Sequence, residues 1–287
     1  MDVHRGLGAG TSDAELEARF ELMASAGIDL QVLSTPPGSP HFATEADAVD
    51  VAQRVNDEYA EIIRRYPDRF RAFASLPFPH TDAALTELTR AIDDLGMLGA
   101  AITTSVLGRS VDDPAMLPVY AELDRRGSVL YVHPAGAGAE SPLINNHLTW
   151  SIGAPIEDTV AVLHLILAGI PSRFPNMKII ASHLGGALPM VLERVDRQVT
   201  WEAPDTPEKP SVAARRMWFD TVAHDHVPAL RAAVESLGAD RLLLGTDFPY
   251  QGGEAFRQAV TYVQRAGLSA EDTAAILDRN AADILFT

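Results

Sequence analysis

Seven short runs rich in apolar and β-branched residues recur along this chain, each followed by turn residues and then by a stretch with apolar positions three and four apart. The runs are Asp29–Ser34, Phe70–Ser75, Leu98–Thr103, Ser128–Val132, Lys178–Ser182, Trp218–Thr221 and Arg241–Leu244. The stretches Ala14–Ala26, Ala46–Tyr66, Ala83–Leu95, Met116–Arg126, Pro155–Ile170, Pro189–Trp201, Val227–Leu237 and Ala255–Ala266 read as amphipathic helices. Two more helical pieces follow, after Ser269 and around Asn280. Glu271 and Asp272 put acid at the start of the first, where the helix dipole favours it. Strands separated by helices require parallel crossovers, hence a doubly wound sheet or a (β/α)8 barrel. The barrel needs an eighth strand, and only Met1–Val3 is available for it. No linker, repeat or low-complexity tract divides the 287 residues, so one domain over 1–287 is expected.

Charge and cysteine content narrow the chemistry. Asp and Glu number 39 against 23 Lys and Arg, a net charge of −16. Such a chain lacks the basic footprint of a nucleic-acid binder and is repelled by anionic membranes. No run reads as a membrane span of roughly 20 apolar residues, and no basic segment precedes an apolar one at the start. A soluble, cytoplasmic protein is expected. With no cysteine, disulfides, thiolate metal sites and cysteine nucleophiles are excluded, and any metal must be held by histidine and carboxylate.

In parallel α/β architectures reactive side chains gather at the C-terminal ends of the strands. Of nine histidines, His133 ends Ser128–Val132 and precedes Pro134, while His183 ends Lys178–Ser182 and precedes Leu184-Gly185-Gly186. Asp247 follows Arg241–Leu244 and Gly245-Thr246. Three ionisable groups therefore point at one mouth, and imidazole with carboxylate suits zinc, manganese or iron. Two ligands are too few for a catalytic zinc. A His-x-His on the first strand would add two inward rings, because residues i and i+2 share a face. Asp2-Val3-His4-Arg5-Gly6 offers one histidine and a glycine in the second place.

Longer motifs extend this reading. Tyr66-Pro67-x-Arg69-Phe70, His133-Pro134, Pro155-x-Glu157-Asp158-Thr159, Arg173-Phe174-Pro175-Asn176-Met177-Lys178, Ser182-His183-Leu184-Gly185-Gly186-x-x-Pro189 and Gly245-Thr246-Asp247-x-Pro249 occur in order. Together they resemble the amidohydrolase family related to aminocarboxymuconate semialdehyde decarboxylase, from about Ala18 to Leu285. The resemblance implies a (β/α)8 barrel with a single divalent metal in its mouth. It assigns His133 and Asp247 as metal ligands, His4 as a remnant of the first-strand pair, and His183 as the catalytic histidine that positions or deprotonates a water. Arg194 matches an arginine that in family dimers reaches a substrate carboxylate in the adjoining subunit, a contact suited to a planar guanidinium.

The expected activity is loss of CO2 from a small planar carboxylate, with zinc as cofactor and a homodimer as the assembly. Hydrolysis of a lactone or amide on the same site is the alternative. A metal-free, degenerate barrel is a third reading, motivated by Gly6. Asp220 is expected to line the pocket or support His183, His164 to pack in a helix, and His224 and His226 to lie in solvent. Trp150 and Trp201 are candidates to close over a flat substrate or to be buried at an interface.

Overall fold

Phe70 opens a strand whose alternate side chains face opposite ways, and the same alternation runs through every stave of the molecule. The computed structural model describes residues 10–136 and 147–286. His4 and the strand expected at Met1–Val3 lie outside the described residues. The strands are β1 (Gln31–Leu33), β2 (Phe70–Ala72), β3 (Ala74–Ser75), β4 (Gly99–Thr103), β5 (Ser105–Val106), β6 (Arg109–Ser110), β7 (Val129–His133), β8 (Lys178–Ala181), β9 (Trp218–Asp220) and β10 (Leu242–Leu243). β1 pairs with β2, and β3 continues that stave past Phe73 and leads through β4, β7, β8 and β9 to β10, all parallel. These are seven consecutive staves of a (β/α)8 barrel, one for each run found in the sequence. β5 and β6 form a small antiparallel hairpin beyond the end of β4, which the sequence pattern did not announce.

The helices alternate with the staves as the apolar spacing requires. They are α1 (Asp13–Ala26), α2 (Glu45–Arg65), α3 (Thr81–Asp93), α4 (Leu117–Arg126), α5 (Ala154–Leu167), α6 (Ile170–Arg173), α7 (Leu188–Glu202), α8 (Pro210–Ala214), α9 (Val227–Leu237), α10 (Gly253–Gln264), α11 (Ala270–Ala274) and α12 (Asn280–Leu285). Gly27 stops α1 in the left-handed conformation at φ 70°, which glycine adopts without a Cβ clash. The acid expected after Ser269 is in place: Ser269 Oγ accepts from the Asp272 amide at 3.0 Å and caps α11.

Two apolar layers result. Phe73, Ala101, Val129, Ile180 and Leu243 point into the barrel and meet Ile284 of α12, which closes the floor; there Lys178 Nζ donates to the Ile284 carbonyl at 2.9 Å. Ala100, Ile102, Leu130, Ile179 and Phe219 point outward into the layer beneath the helices. A buried polar knot sits at the end of β3. Asn56 Nδ2 donates to the Ser75 carbonyl (2.9 Å) and to Glu87 (2.6 Å), while its Oδ1 accepts from the Ser75 amide at 2.8 Å. The carboxamide thus stands in for the strand neighbour that Ser75 lacks on that side.

One expectation is corrected. Thr149–Leu167 is 19 residues long and, at mean hydropathy 1.2, apolar enough to cross a bilayer by length and composition alone. Nearly half of that stretch is buried in the protein, and it carries Glu157 and Asp158, whose carboxylates bind the mouth of the barrel.

Candidate active site

His133, His183 and Asp247 are delivered by three different staves to one point. His133 is the last residue of β7 and shares the inward face of Val129 and Tyr131. His183 follows β8 by two residues, and Asp247 follows β10 by four. His133 Nε2 and His183 Nε2 are each 3.9 Å from Asp247 Oδ1. Among the described residues, these three place their donor atoms within 4.8 Å of one another. The backbone is bent to do so: φ is +52° at both His183 and Asp247. That region costs a residue with a Cβ on the order of 1 kcal/mol and persists only where surroundings enforce it.

The enforcement comes from buried carboxylates. Asp220, ending β9, accepts from the His183 amide at 2.8 Å and the Val222 amide at 3.0 Å, and its other oxygen accepts from Tyr131 Oη at 3.0 Å. Its expected role in supporting His183 is therefore exerted through the backbone. Asp158, near the start of α5, is 1% exposed; it accepts from His183 Nδ1 and from Ser182 Oγ, both at 2.9 Å. Glu157 beside it accepts from Thr104 Oγ1 and from the Ala135 and Gly136 amides, tying down the loop after β7. Gly186 lets α5 approach this closely. It has φ +66°, and a Cβ there would lie 1.9 Å from the Pro155 carbonyl oxygen.

These contacts orient the rings. His133 Nδ1 donates to the Pro134 carbonyl at 3.1 Å, which turns Nε2 toward Asp247. Burial opposes charge on His183, yet its hydrogen bond with Asp158 and the nearby Asp247 carboxylate push its pKa well above the ordinary imidazole value. Burial would raise Asp247 too, but His133 and His183 outweigh it and hold the carboxyl below its usual range. Tyr131, buried beside Asp220, stays a neutral phenol, its pKa pushed up by desolvation and then by that carboxylate. The imidazole of His133 and the ionised carboxylate of Asp247 fit a divalent ion, with His183, oriented through Nδ1 by Asp158, standing beside them.

A cavity of about 770 Å³ opens onto this group and is lined by His133, Asp247, Tyr131, Asp220 and Phe73. Trp150 stacks on Tyr250 with ring centroids 6.5 Å apart, and Tyr250 lines the same cavity. Trp201 instead projects from α7 and is 68% exposed. Arg194 is exposed on α7 and outside the cavity lining; the ion pair beside it is Glu193 with Arg197 at 2.9 Å. His224 and His226 are exposed as expected. His164 departs from the packing role: its ring is partly exposed, with Nδ1 beside Ser110 and 3.5 Å from Asp112. Asp158, Glu157 and Phe73 of the site were not assigned roles from sequence; the first two appeared only in the Pro155-x-Glu157-Asp158-Thr159 motif, and Phe73 only within the run Phe70–Ser75.

The sequence profile of the amidohydrolase family matches residues 2–287. The chain belongs to this family. Among curated relatives, the amidohydrolase is 32% identical over 244 residues to 2-amino-3-carboxymuconate-6-semialdehyde decarboxylase of Dictyostelium discoideum, covering 83% of this chain and 67% of that protein. It is 29% identical to gamma-resorcylate decarboxylase of Rhodococcus jostii RHA1, covering 93% of this chain and 86% of the relative. Among solved structures it superposes on a dihydroxybenzoic acid decarboxylase from Polaromonas sp. JS666 with bound manganese and 2-nitroresorcinol. That match has a TM-score of 0.82 and 26% identity, and covers 94% of this chain and 85% of the other.

Proposed function

We propose that this amidohydrolase is a divalent-metal-dependent, non-oxidative decarboxylase of a small planar aromatic carboxylate. The observation that carries the reading is the His183–Asp158 pair set against the His133–Asp247 group at the barrel mouth. His133 and Asp247 would hold the ion, with His4, outside the described residues, as the further ligand expected from the sequence. When bound, the ion supplies Lewis-acid polarisation of substrate oxygens. Zinc is the proposed ion; the manganese of the Polaromonas enzyme is the rival that the same donor set accepts.

The protein groups do the proton work. Asp158 sustains a protonated His183, which delivers its proton to the ring carbon bearing the carboxylate. The bond from that carbon to the carboxylate then breaks, its electron pair returns to the ring, and CO2 leaves. His183 regains its proton from solvent. Nδ1 is engaged by Asp158, so Nε2 delivers the proton, and the ionised Asp247 lies 3.9 Å from it. Arg194 is proposed to serve the mouth of a second subunit in a homodimer, anchoring an anionic end of the substrate. Met190 and Trp201, exposed on the same helix, and Ile156 and Val160 on α5 supply apolar surface for that partner to cover.

Release of CO2 from a panel of hydroxylated aromatic carboxylates, by protein loaded with zinc or with manganese, tests the proposal. Turnover at an unchanged rate after metal removal would refute the metal requirement. Opening of lactones with no gas evolved would turn the assignment to the hydrolase.

A further inference from the structure

Four successive residues after β8 hold left-handed backbone: φ is +52° at His183, +58° at Leu184, +71° at Gly185 and +66° at Gly186. His183 and Leu184 carry a Cβ and are strained there, so the turn persists only where its surroundings tether it. Ser182, just before it, is tied to β7 through the Val132 carbonyl. The His183 amide itself is tied to Asp220 Oδ1 at 2.8 Å. The place of the His183 ring therefore depends on where the Asp220 carboxylate is held.

Three contacts hold that buried carboxylate. Oδ1 is shared by the His183 and Val222 amides. Gly245 stands behind the group: a Cβ there would lie 2.9 Å from both Asp220 Cβ and Cγ, so retreat toward β10 is blocked. Oδ2 accepts from Tyr131 Oη at 3.0 Å, the one side-chain donor to Asp220 among the described residues. The last bond carries a distinct task. The torsion that turns a carboxylate about its Cβ–Cγ bond is soft, and two amides on a single oxygen leave it free to swing. The phenol fixes the second oxygen, and with it the plane of the group. Tyr131 is in turn fixed by Phe73, on which it stacks with centroids 5.6 Å apart and planes 25° apart. Both rings line the cavity below His133.

We propose that Tyr131 is a positioning residue for proton delivery: its hydroxyl locks the Asp220 carboxylate, which fixes the His183 backbone and so the point from which Nε2 gives up its proton. The catalytic consequence rests on the decarboxylase reading. Tyr131 exchanges no proton in the reaction; it sets the distance that the proton must cross. Asp158 orients the ring through Nδ1, whereas Tyr131 steadies the chain that carries the ring, so neither support replaces the other. A small misplacement of a reacting group is enough to slow the step severely.

The test is Tyr131→Phe, which keeps the ring and its stacking on Phe73 and removes one oxygen. With zinc-loaded protein and the best substrate of the hydroxylated aromatic carboxylate panel, kcat is expected to fall about 10- to 100-fold with KM unchanged. Metal content by elemental analysis and cooperative urea unfolding are expected to match wild type, which separates loss of positioning from loss of the ion or the fold. In proton–nitrogen spectra the His183 amide, a donor to a carboxylate, is expected downfield and slow to exchange in wild type. In Tyr131→Phe it moves upfield and exchanges faster. In Asp220→Ala, adding Tyr131→Phe is expected to cost nothing further, because the two act in one chain. An unchanged kcat, an unmoved His183 amide, a rise in KM that accounts for the loss, or a full further loss in the double variant overturns the inference. No CO2 from wild type, with the amide still moved by Tyr131→Phe, would sink the decarboxylase reading alone.

Discussion

Replacing Asp158 by asparagine removes one negative charge while keeping nearly the same shape. The lost carboxylate sits 2.9 Å from His183 Nδ1 and is 1% exposed, so water screens the pair poorly. With charge centres about 4 Å apart and an effective dielectric near 20, the attraction is about 4 kcal/mol. Asp247 remains as a second carboxylate 3.9 Å from Nε2, and relaxation of the site recovers part of the loss, so the imidazole pKa is expected to fall toward its ordinary value without losing all support. The His183 pKa in the wild type lies well above its ordinary value, which keeps the proton donor populated through neutral pH. In Asp158→Asn protonation is lost as pH rises through the lowered value. Turnover at neutral pH is then expected to drop about 10²- to 10³-fold, with an optimum displaced to acid. The assay is kcat against pH from about 5 to 9, with NMR titration of His183 in the same variant. An alkaline limb at the wild-type pH, or an unmoved His183 titration, would show that Asp158 does not sustain the proton and would refute the reasoning.

Other outcomes follow from groups described above. Asn56→Leu strips the Ser75 amide and carbonyl of the side chain that binds them; at about 1–3 kcal/mol for each orphaned group, urea unfolding should show a loss of about 3–4 kcal/mol. A loss below about 1 kcal/mol would mean that water replaces the carboxamide. Glu122, hydrogen-bonded by Arg125 and by Arg126, has its pKa depressed from 4.5 to about 2. Its stabilisation is therefore present above the ordinary glutamate value and is lost as pH falls through about 2. Because the cluster meets solvent, Glu122→Gln should cost about 1 kcal/mol or less at neutral pH, the difference from wild type vanishing in an acid series of thermal melts. His133→Ala and Asp247→Ala should each lower bound metal after zinc or manganese supplementation at least tenfold by elemental analysis. Wild-type content in both would place the ion elsewhere.

All seven described staves were legible in the sequence because turn residues punctuate them: Pro67 before Phe70, Gly96 before Leu98, Pro134 after His133 and Gly245 after β10 each stop or start a run. Phe73, which splits its stave into β2 and β3, leaves no such mark, since an aromatic residue fits either state. The strand-end rule also found His133, His183 and Asp247, because in parallel sheets position along the chain dictates position at the rim. Asp158 escaped it. Asp158 is embedded in an apolar helical pattern, and only the docking of α5 against the turn after β8 aims it at His183. Arg194 was assigned by likeness, and its place is exposed on α7, outside the cavity lining.

The plug formed by α12 bears on how the molecule is made. Phe73, Val129, Ile180 and Leu243 pack against Ile284, so on the ribosome the lower end of the barrel stays uncovered until that isoleucine has been synthesised and has left the exit tunnel. The catalytic rim is by then encoded in full. Nascent chains halted just short of residue 284 would present greasy surface to chaperones while already carrying every described side chain of the site.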